Sequence, residues 1–193
     1  DHDEKSKKIL TDLSKKIDAY TSLKIEFIYK MENKQEKIDE TIKGTVFIKK
    51  EKYKLDFSDQ LIICDGKTVW TYLKEPNEVQ ISLYEESDEN ITPQNLFKIY
   101  EKGHRSKYIR EGTENGKKMH VIELVPLEQK QYYKVRLNID KSTSMLYSAV
   151  VFDRSGSTFT YTLEKTSPNI TISDEDFTFK TSKYPKVEII DLR

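Results

Sequence analysis

Between Lys5 and Tyr20, the apolar residues Leu10, Leu13, Ile17 and Tyr20 recur at spacings of three and four among lysines and other polar residues. This spacing predicts an amphipathic helix with a single greasy stripe. Immediately afterwards the period changes to two. Leu23, Ile25, Phe27, Tyr29 and Met31 alternate with Lys24, Glu26, Ile28 and Lys30, which predicts a long strand with one face buried. Further strands are expected at about 41–49, 52–57, 60–64, 68–73 and 78–83, joined by polar turns too short for anything but antiparallel neighbours. A second amphipathic helix is predicted next, with Thr92 as N-cap, Pro93 at the first helical position, Leu96, Phe97, Ile99 and Tyr100 as its stripe, and Gly103 as its stop. Strands resume at about 105–111, 117–125, 131–139, 145–153 and 157–165, with hairpin turns at Asn115-Gly116, Asp140 to Thr143 and Arg154 to Gly156. Two short strands, near Phe177 to Lys180 and Val187 to Asp191, are expected to close the chain.

About eleven strands and two helices hide their apolar faces if one strongly curved antiparallel sheet takes the helices into its concave side. The predicted fold class is therefore α+β, an open β half-barrel with an amphipathic helical lid. A filled α+β core has the same alternation, and pattern alone leaves both open.

Composition narrows the function. The chain has 193 residues, enough to bury a core without staples, and a single domain spanning 1–193 is expected. Lys plus Arg equals Asp plus Glu at 33 each, so no global field draws it to nucleic acid or an anionic membrane. Cys64 is the single cysteine and sits in the apolar run Leu61 to Cys64, where a buried, inert thiol is expected. No apolar run approaches the roughly 18 residues of a membrane span, and no signal peptide begins at Asp1, so an exported chain would already have lost its leader.

Catalytic patterns are weak. His2, His104 and His120 share no ligand spacing, and Gly66-Lys67-Thr68 follows Leu61 where a phosphate loop requires glycine. Ser155-Gly156-Ser157 lacks the frame of an esterase elbow. The acidic run Glu85 to Glu89 and the pair Asp174 and Asp176 read as solvated loops before they read as cation sites. Trp70 and Tyr72 could stack on a sugar, with core or lumen lining the preferred reading. No enzyme activity, cofactor or metal is expected.

Residues 62–82 contain the string Asp65-Gly66-Lys67-Thr68-Val69-Trp70-Thr71-Tyr72, and the chain ends in Phe177-Thr178-Phe179 followed by Val187 to Asp191. With the order of predicted elements, these residues resemble the LolA family, periplasmic carriers that ferry lipoproteins from the inner to the outer bacterial membrane. The resemblance covers nearly the whole chain. It implies a periplasmic monomer that shields the acyl chains of lipoproteins, receives them from an inner-membrane lipoprotein-releasing transporter and passes them to an outer-membrane acceptor. A lipid or lipoprotein sensor, or a generic lipid-binding module of the same fold, is the alternative.

The same resemblance assigns a lining. In helices and strands it comprises Leu13, Ile17, Ile25, Phe27, Val46, Ile48, Tyr53, Leu55, Phe57, Leu96, Phe97 and Tyr100. The family strand that starts with glycine and ends in Lys-Arg-Pro matches Gly44 to Glu51. The arginine that reaches the family's lid falls on Lys50, and the proline on Glu51. Lys50 is thus the expected lid contact, supplying one charged point where arginine supplies a planar fork.

Overall fold

In the computed structural model, which describes residues 3–86 and 90–193, the first apolar stripe forms helix α1 (Glu4–Asp18). Asp3 caps it by accepting the Ser6 amide at 2.7 Å, and Leu10 and Leu13 are buried. Twelve strands follow: β1 (Leu23–Asn33), β2 (Ile38–Lys49), β3 (Lys52–Phe57), β4 (Gln60–Cys64), β5 (Thr68–Leu73), β6 (Glu78–Leu83), β7 (His104–Glu114), β8 (Lys117–Pro126), β9 (Tyr132–Asp140), β10 (Leu146–Asp153), β11 (Thr158–Pro168) and β12 (Glu188–Asp191). They belong to one sheet in the order β12-β6-β5-β4-β3-β2-β1-β11-β10-β9-β8-β7, open at β12 and β7, so the α+β fold expected from the pattern is the one observed. The hairpins are antiparallel, whereas β12 returns to lie parallel to β6.

Two elements differ from the sequence expectation. The stretch 92–102 is a chain of turns instead of a second helix. The amides of Asn95, Lys98 and Glu101 donate to the carbonyls of Thr92, Asn95 and Lys98, three residues back each time, which does not build a continuous ladder. The competing force is local: Asn95 Oδ1 accepts the Thr92 amide at 2.8 Å while its amide group donates to the Asn90 carbonyl at 2.9 Å. The helical lid is therefore one helix and one turn segment. Near the C-terminus, Phe177 to Lys180 forms no strand; Asp174–Phe177 and Thr181–Lys183 are short 3-10 helices, the first tied by Asp176 accepting the Ser173 amide at 3.0 Å. Ser87, Asp88 and Glu89 of the acidic run, and His2, lie outside the described residues.

The residues group into two compact units. The first takes Asp1–Ala19, Phe27–Thr41 and Asp88–Glu164. In it, β8 to β11 present one apolar face, since Leu124 pairs with Val135 and Ile122 with Leu137, Val135 with Val151 and Leu137 with Ala149, and Ala149 with Tyr161. The reverse face is polar: Glu123 meets Arg136 at 2.9 Å, and Asn138 donates to Ser148 at 2.8 Å. Helix α1 is fastened to edge strand β7, where the Tyr108 amide donates to Asp3 at 2.6 Å and the Ser6 and Ser106 hydroxyls lie 2.7 Å apart.

The second unit takes Tyr20–Glu26, Ile42–Ser87 and Lys165–Arg193. Its strands are apolar on both faces. One face carries Leu61, Ile63 and Val79, packed with Phe177 and Phe179 and flanked by Phe47, Trp70, Tyr72 and Tyr184. Tyr72 lies 4.6 Å from Tyr184 and 5.4 Å from Phe179, ring centre to ring centre. The other face carries Val46, Leu55, Ile62 and Cys64.

Candidate functional site

The register of the second unit gathers five of the expected lining residues. Val46 stands opposite Leu55, Ile48 opposite Tyr53, and Gly44 opposite Phe57, so Val46, Ile48, Tyr53, Leu55 and Phe57 share one face of β2 and β3. Val46 and Leu55 are buried, while Ile48, Tyr53 and Phe57 are half-buried. Continuing the register adds Ile62, Cys64 and Val69, which sequence reasoning missed. The run 60–64 is apolar at nearly every position, so alternation gave no sign of which residues turn to this face. Burial pushes the Cys64 thiol pKa up and its sulfur accepts the Gly66 amide at 3.3 Å, a poor nucleophile in an apolar setting. Ile25, also of this unit, is buried.

Trp70 and Tyr72 point the other way. Ile63 opposite Trp70 and Leu61 opposite Tyr72 place both rings on the face closed by Phe177 and Phe179. Both are partly buried and packed against that core, in keeping with the preferred reading. Lys50 stands exposed in the β2–β3 turn at a φ of 55°. Its neighbour Lys49 makes the ion pair here, with Asp174 at 3.1 Å, and Lys52 meets the same carboxylate at 3.2 Å. Both lysines hold the Asp174 pKa below the usual carboxylate range.

In the first unit, the buried apolar side chains off the sheet are Leu10 and Leu13 of α1 and Ile91, Leu96, Phe97, Ile99 and Tyr100 of the turn segment. Of the expected lining, Leu13, Phe27, Leu96, Phe97 and Tyr100 are buried and Ile17 is half-buried. The Phe27 ring lies 6.2 Å from that of Tyr161, whose hydroxyl donates to the Ile91 carbonyl at 3.1 Å and so ties the turn segment to the sheet face. Ile91 shares a pocket of about 160 Å³ with Tyr29, Val151, Phe159 and Tyr161. A larger groove of about 340 Å³ runs between α1 and Tyr100 and Glu101.

The turn segment is poorly satisfied. Among the described residues, the buried polar atoms without a hydrogen-bond partner are Thr92 Oγ1, Gln94 Oε1, Tyr100 OH and Arg136 Nε, and three of these lie within 92–100. A buried orphan costs about 1–3 kcal/mol, so the segment carries an internal penalty in this arrangement. Burial raises the Tyr100 pKa, as do the nearby carboxylates of Glu101 and Asp18.

No three His, Cys, Asp or Glu side chains converge on a metal-sized point among the described residues. His104 is engaged by the Lys102 carbonyl at 3.0 Å and the Tyr132 hydroxyl at 2.8 Å, and His120 by the Tyr108 hydroxyl at 3.2 Å. No described helix is long and apolar enough to cross a membrane.

Comparison with known proteins adds the family. Residues 18–180 match the model for the outer membrane lipoprotein carrier protein LolA. An uncharacterized protein of Methanocaldococcus jannaschii is 26% identical over 136 residues, which is 69% of this chain, and the match spans 39% of that relative's length. Among solved structures, an uncharacterized conserved protein of Thermus thermophilus superposes with a TM-score of 0.64 at 12% identity, covering 97% of this chain and 99% of that one. A DUF1329 family protein of Desulfovibrio piger gives 0.51 at 14% identity, over 93% and 98% of the two chains. A putative outer membrane lipoprotein-sorting protein domain of Vibrio parahaemolyticus gives 0.50 at 12% identity, over 89% and 95%. At these identities the likeness speaks for the fold.

Proposed function

The chain belongs to the outer membrane lipoprotein carrier family, a family of lipid-binding carriers, and from that premise we propose that it shields the acyl chains of lipoproteins during transit through the periplasm. Wetting a lipid tail costs about 0.8 kcal/mol per methylene, so a multi-acylated anchor needs an apolar receptor to leave a membrane at all. The observation that carries the reading is the cover of the first unit. Ile91 meets the apolar sheet face at Tyr161, Val151 and Phe159, and the segment that follows it holds buried polar atoms without partners, so we read it as bound by grease and released cheaply. The spaces of about 160 and 340 Å³ sit below or at the low end of ligand pockets, roughly 300–1,000 Å³, and a multi-acyl cargo therefore requires the cover to move.

We assign the lining to Leu13, Ile17, Phe27, Leu96, Phe97 and Tyr100 in the first unit and to Ile25, Val46, Ile48, Tyr53, Leu55 and Phe57 in the second. Partners follow from the same reading: a membrane transporter that releases lipoproteins, and an outer-membrane acceptor that binds them more tightly. The test is solvent extraction of the purified chain and titration with a fluorescent triacyl lipopeptide, for wild type and Phe97→Asp, with circular dichroism as a control for folding. Co-purifying lipid and saturable binding, both lost in a folded variant, support the carrier. Absence of both from wild type ends it.

A second reading, a lipid-binding module within a larger sensor, gains from one observation: the chain spans 39% of the length of its M. jannaschii relative. Transfer of bound lipopeptide from one vesicle population to another separates the two, since a carrier delivers and a sensor retains.

A further inference from the structure

The groove of about 340 Å³ beside α1 differs in character from the apolar face. It is lined by Lys7, Leu10, Thr11, Ser14 and Lys15 from one flank of the helix and by Tyr100 and Glu101 from the turn segment. Spacings of three and four bring Lys7, Thr11, Ser14 and Lys15 to a common side of α1. Leu10 and Tyr100 are each 5% exposed and belong to the buried apolar set, so one wall is greasy. The other groups are polar. The Tyr100 hydroxyl is buried without a hydrogen-bond partner although Ser14 is nearby, and Lys7 and Lys15 have no ion-pair partner among the described residues.

We propose that this groove is a headgroup site, which takes the anionic phosphate or carboxylate end of an amphiphile whose tail lies on the apolar face beneath the cover. The proposal rests on the carrier reading and specifies its ligand. Lys7 and Lys15 supply charge to the anion, and Thr11, Ser14 and Tyr100 supply hydroxyl donors. Glu101 is the carboxylate in the lining, against Lys7 and Lys15, and its charge is felt by Asp18, Lys98 and Lys102. An arriving anion would give the Tyr100 hydroxyl the partner it lacks. Binding of the head would thereby act on the same segment that must be displaced for the tail.

The experiment compares dodecyl phosphate, dodecyl maltoside and inorganic phosphate by calorimetric titration of the full chain. Dodecyl phosphate should bind about tenfold more tightly than the neutral detergent at low salt, a preference that Lys7→Gln with Lys15→Gln abolishes and Tyr100→Phe reduces. Affinity for dodecyl maltoside should stay unchanged in the lysine variant, which also reports that the fold is intact. Equal binding of the two detergents, a preference that survives the double substitution, or inorganic phosphate binding as tightly as dodecyl phosphate overturns the headgroup site and leaves the carrier reading standing. Failure of wild type to bind either detergent overturns both.

Discussion

Replacing Thr92 by valine tests whether the turn segment is a cover that cargo must displace. Its hydroxyl is buried without a partner, which costs about 1–3 kcal/mol in the closed state. Valine has the same shape and is likewise β-branched, so it suits the extended backbone that Pro93 imposes on its predecessor. The Thr92 amide, which donates to Asn95 Oδ1 at 2.8 Å, is untouched. The closed segment should gain about 1–2 kcal/mol, raising Tm by about 2–8 °C for a chain of this size. If the segment must leave before an acyl chain enters, the same gain opposes binding, and the apparent Kd for a fluorescent lipopeptide should rise about 5–30-fold. Thermal melts and lipopeptide titration on the same preparation read both quantities. A higher Tm with unchanged Kd would show that cargo binds without moving the segment. A lower Tm would show that the hydroxyl has a partner in solution; either result refutes the reasoning.

Three further substitutions probe the scaffold. Phe177→Ala removes a fully buried ring from among Leu61, Ile63 and Val79 and should cost about 3–5 kcal/mol in urea, with the folded fraction keeping its lipopeptide affinity; a loss below 1 kcal/mol would contradict this packing. Asp3→Ala removes the α1 cap and should cost about 0.5–2 kcal/mol near neutral pH. Burial works against the Asp3 carboxylate, yet the Ser6 and Tyr108 amides outweigh it and hold its pKa below 3.8, so its contribution is present above that pH and fades as pH falls through the lower folded value. Wild type and variant should therefore converge in stability below pH 3.8, and a gap that widens in acid would count against the cap. Gly66→Ala should cost about 1–2 kcal/mol in urea, because a φ of +95° suits glycine while the added Cβ meets only Glu51 Cβ at 3.8 Å; an unchanged midpoint would rule out the left-handed turn.

Elements with an unambiguous period were legible in the sequence. The three- and four-residue spacing of Leu10, Leu13 and Ile17 marks α1, and the alternation from Leu23 to Met31 marks β1, because each pattern has a single structural solution. The stretch 92–102 has helical spacing too, and its apolar stripe is indeed buried. Its backbone nevertheless follows the Asn95 side chain, a competition between local hydrogen bonds that periodicity does not register. The strand expected at Phe177 to Lys180 failed for a related reason. Phe177, at the end of a 3-10 helix, and Phe179 both enter the same core, which the extended Thr178 between them allows without joining the sheet.

Which face of each strand is free to take a ligand is less legible than the strands themselves. In the first unit a polar reverse face built on Glu123, Arg136, Asn138 and Ser148 leaves the other face as the apolar one. In the second unit both faces are apolar, and the answer comes from the C-terminal segment, which occupies one of them with Phe177, Phe179 and Tyr184. That segment packs against Trp70 and Tyr72, the aromatic residues of the Asp-Gly-Lys-Thr string that carries the family resemblance. The motif thus identifies a scaffold: its turn is set by Gly66 and its rings are held by the closing segment. On the proposed reading, residues that tune a ligand belong on the opposite face, around Val46, Leu55 and Ile62, and beside α1 at Lys7 and Lys15, where the motif is silent. Substitutions in the motif should then lower stability with little change in affinity for the folded protein, and those at Lys15, which is exposed, should do the reverse.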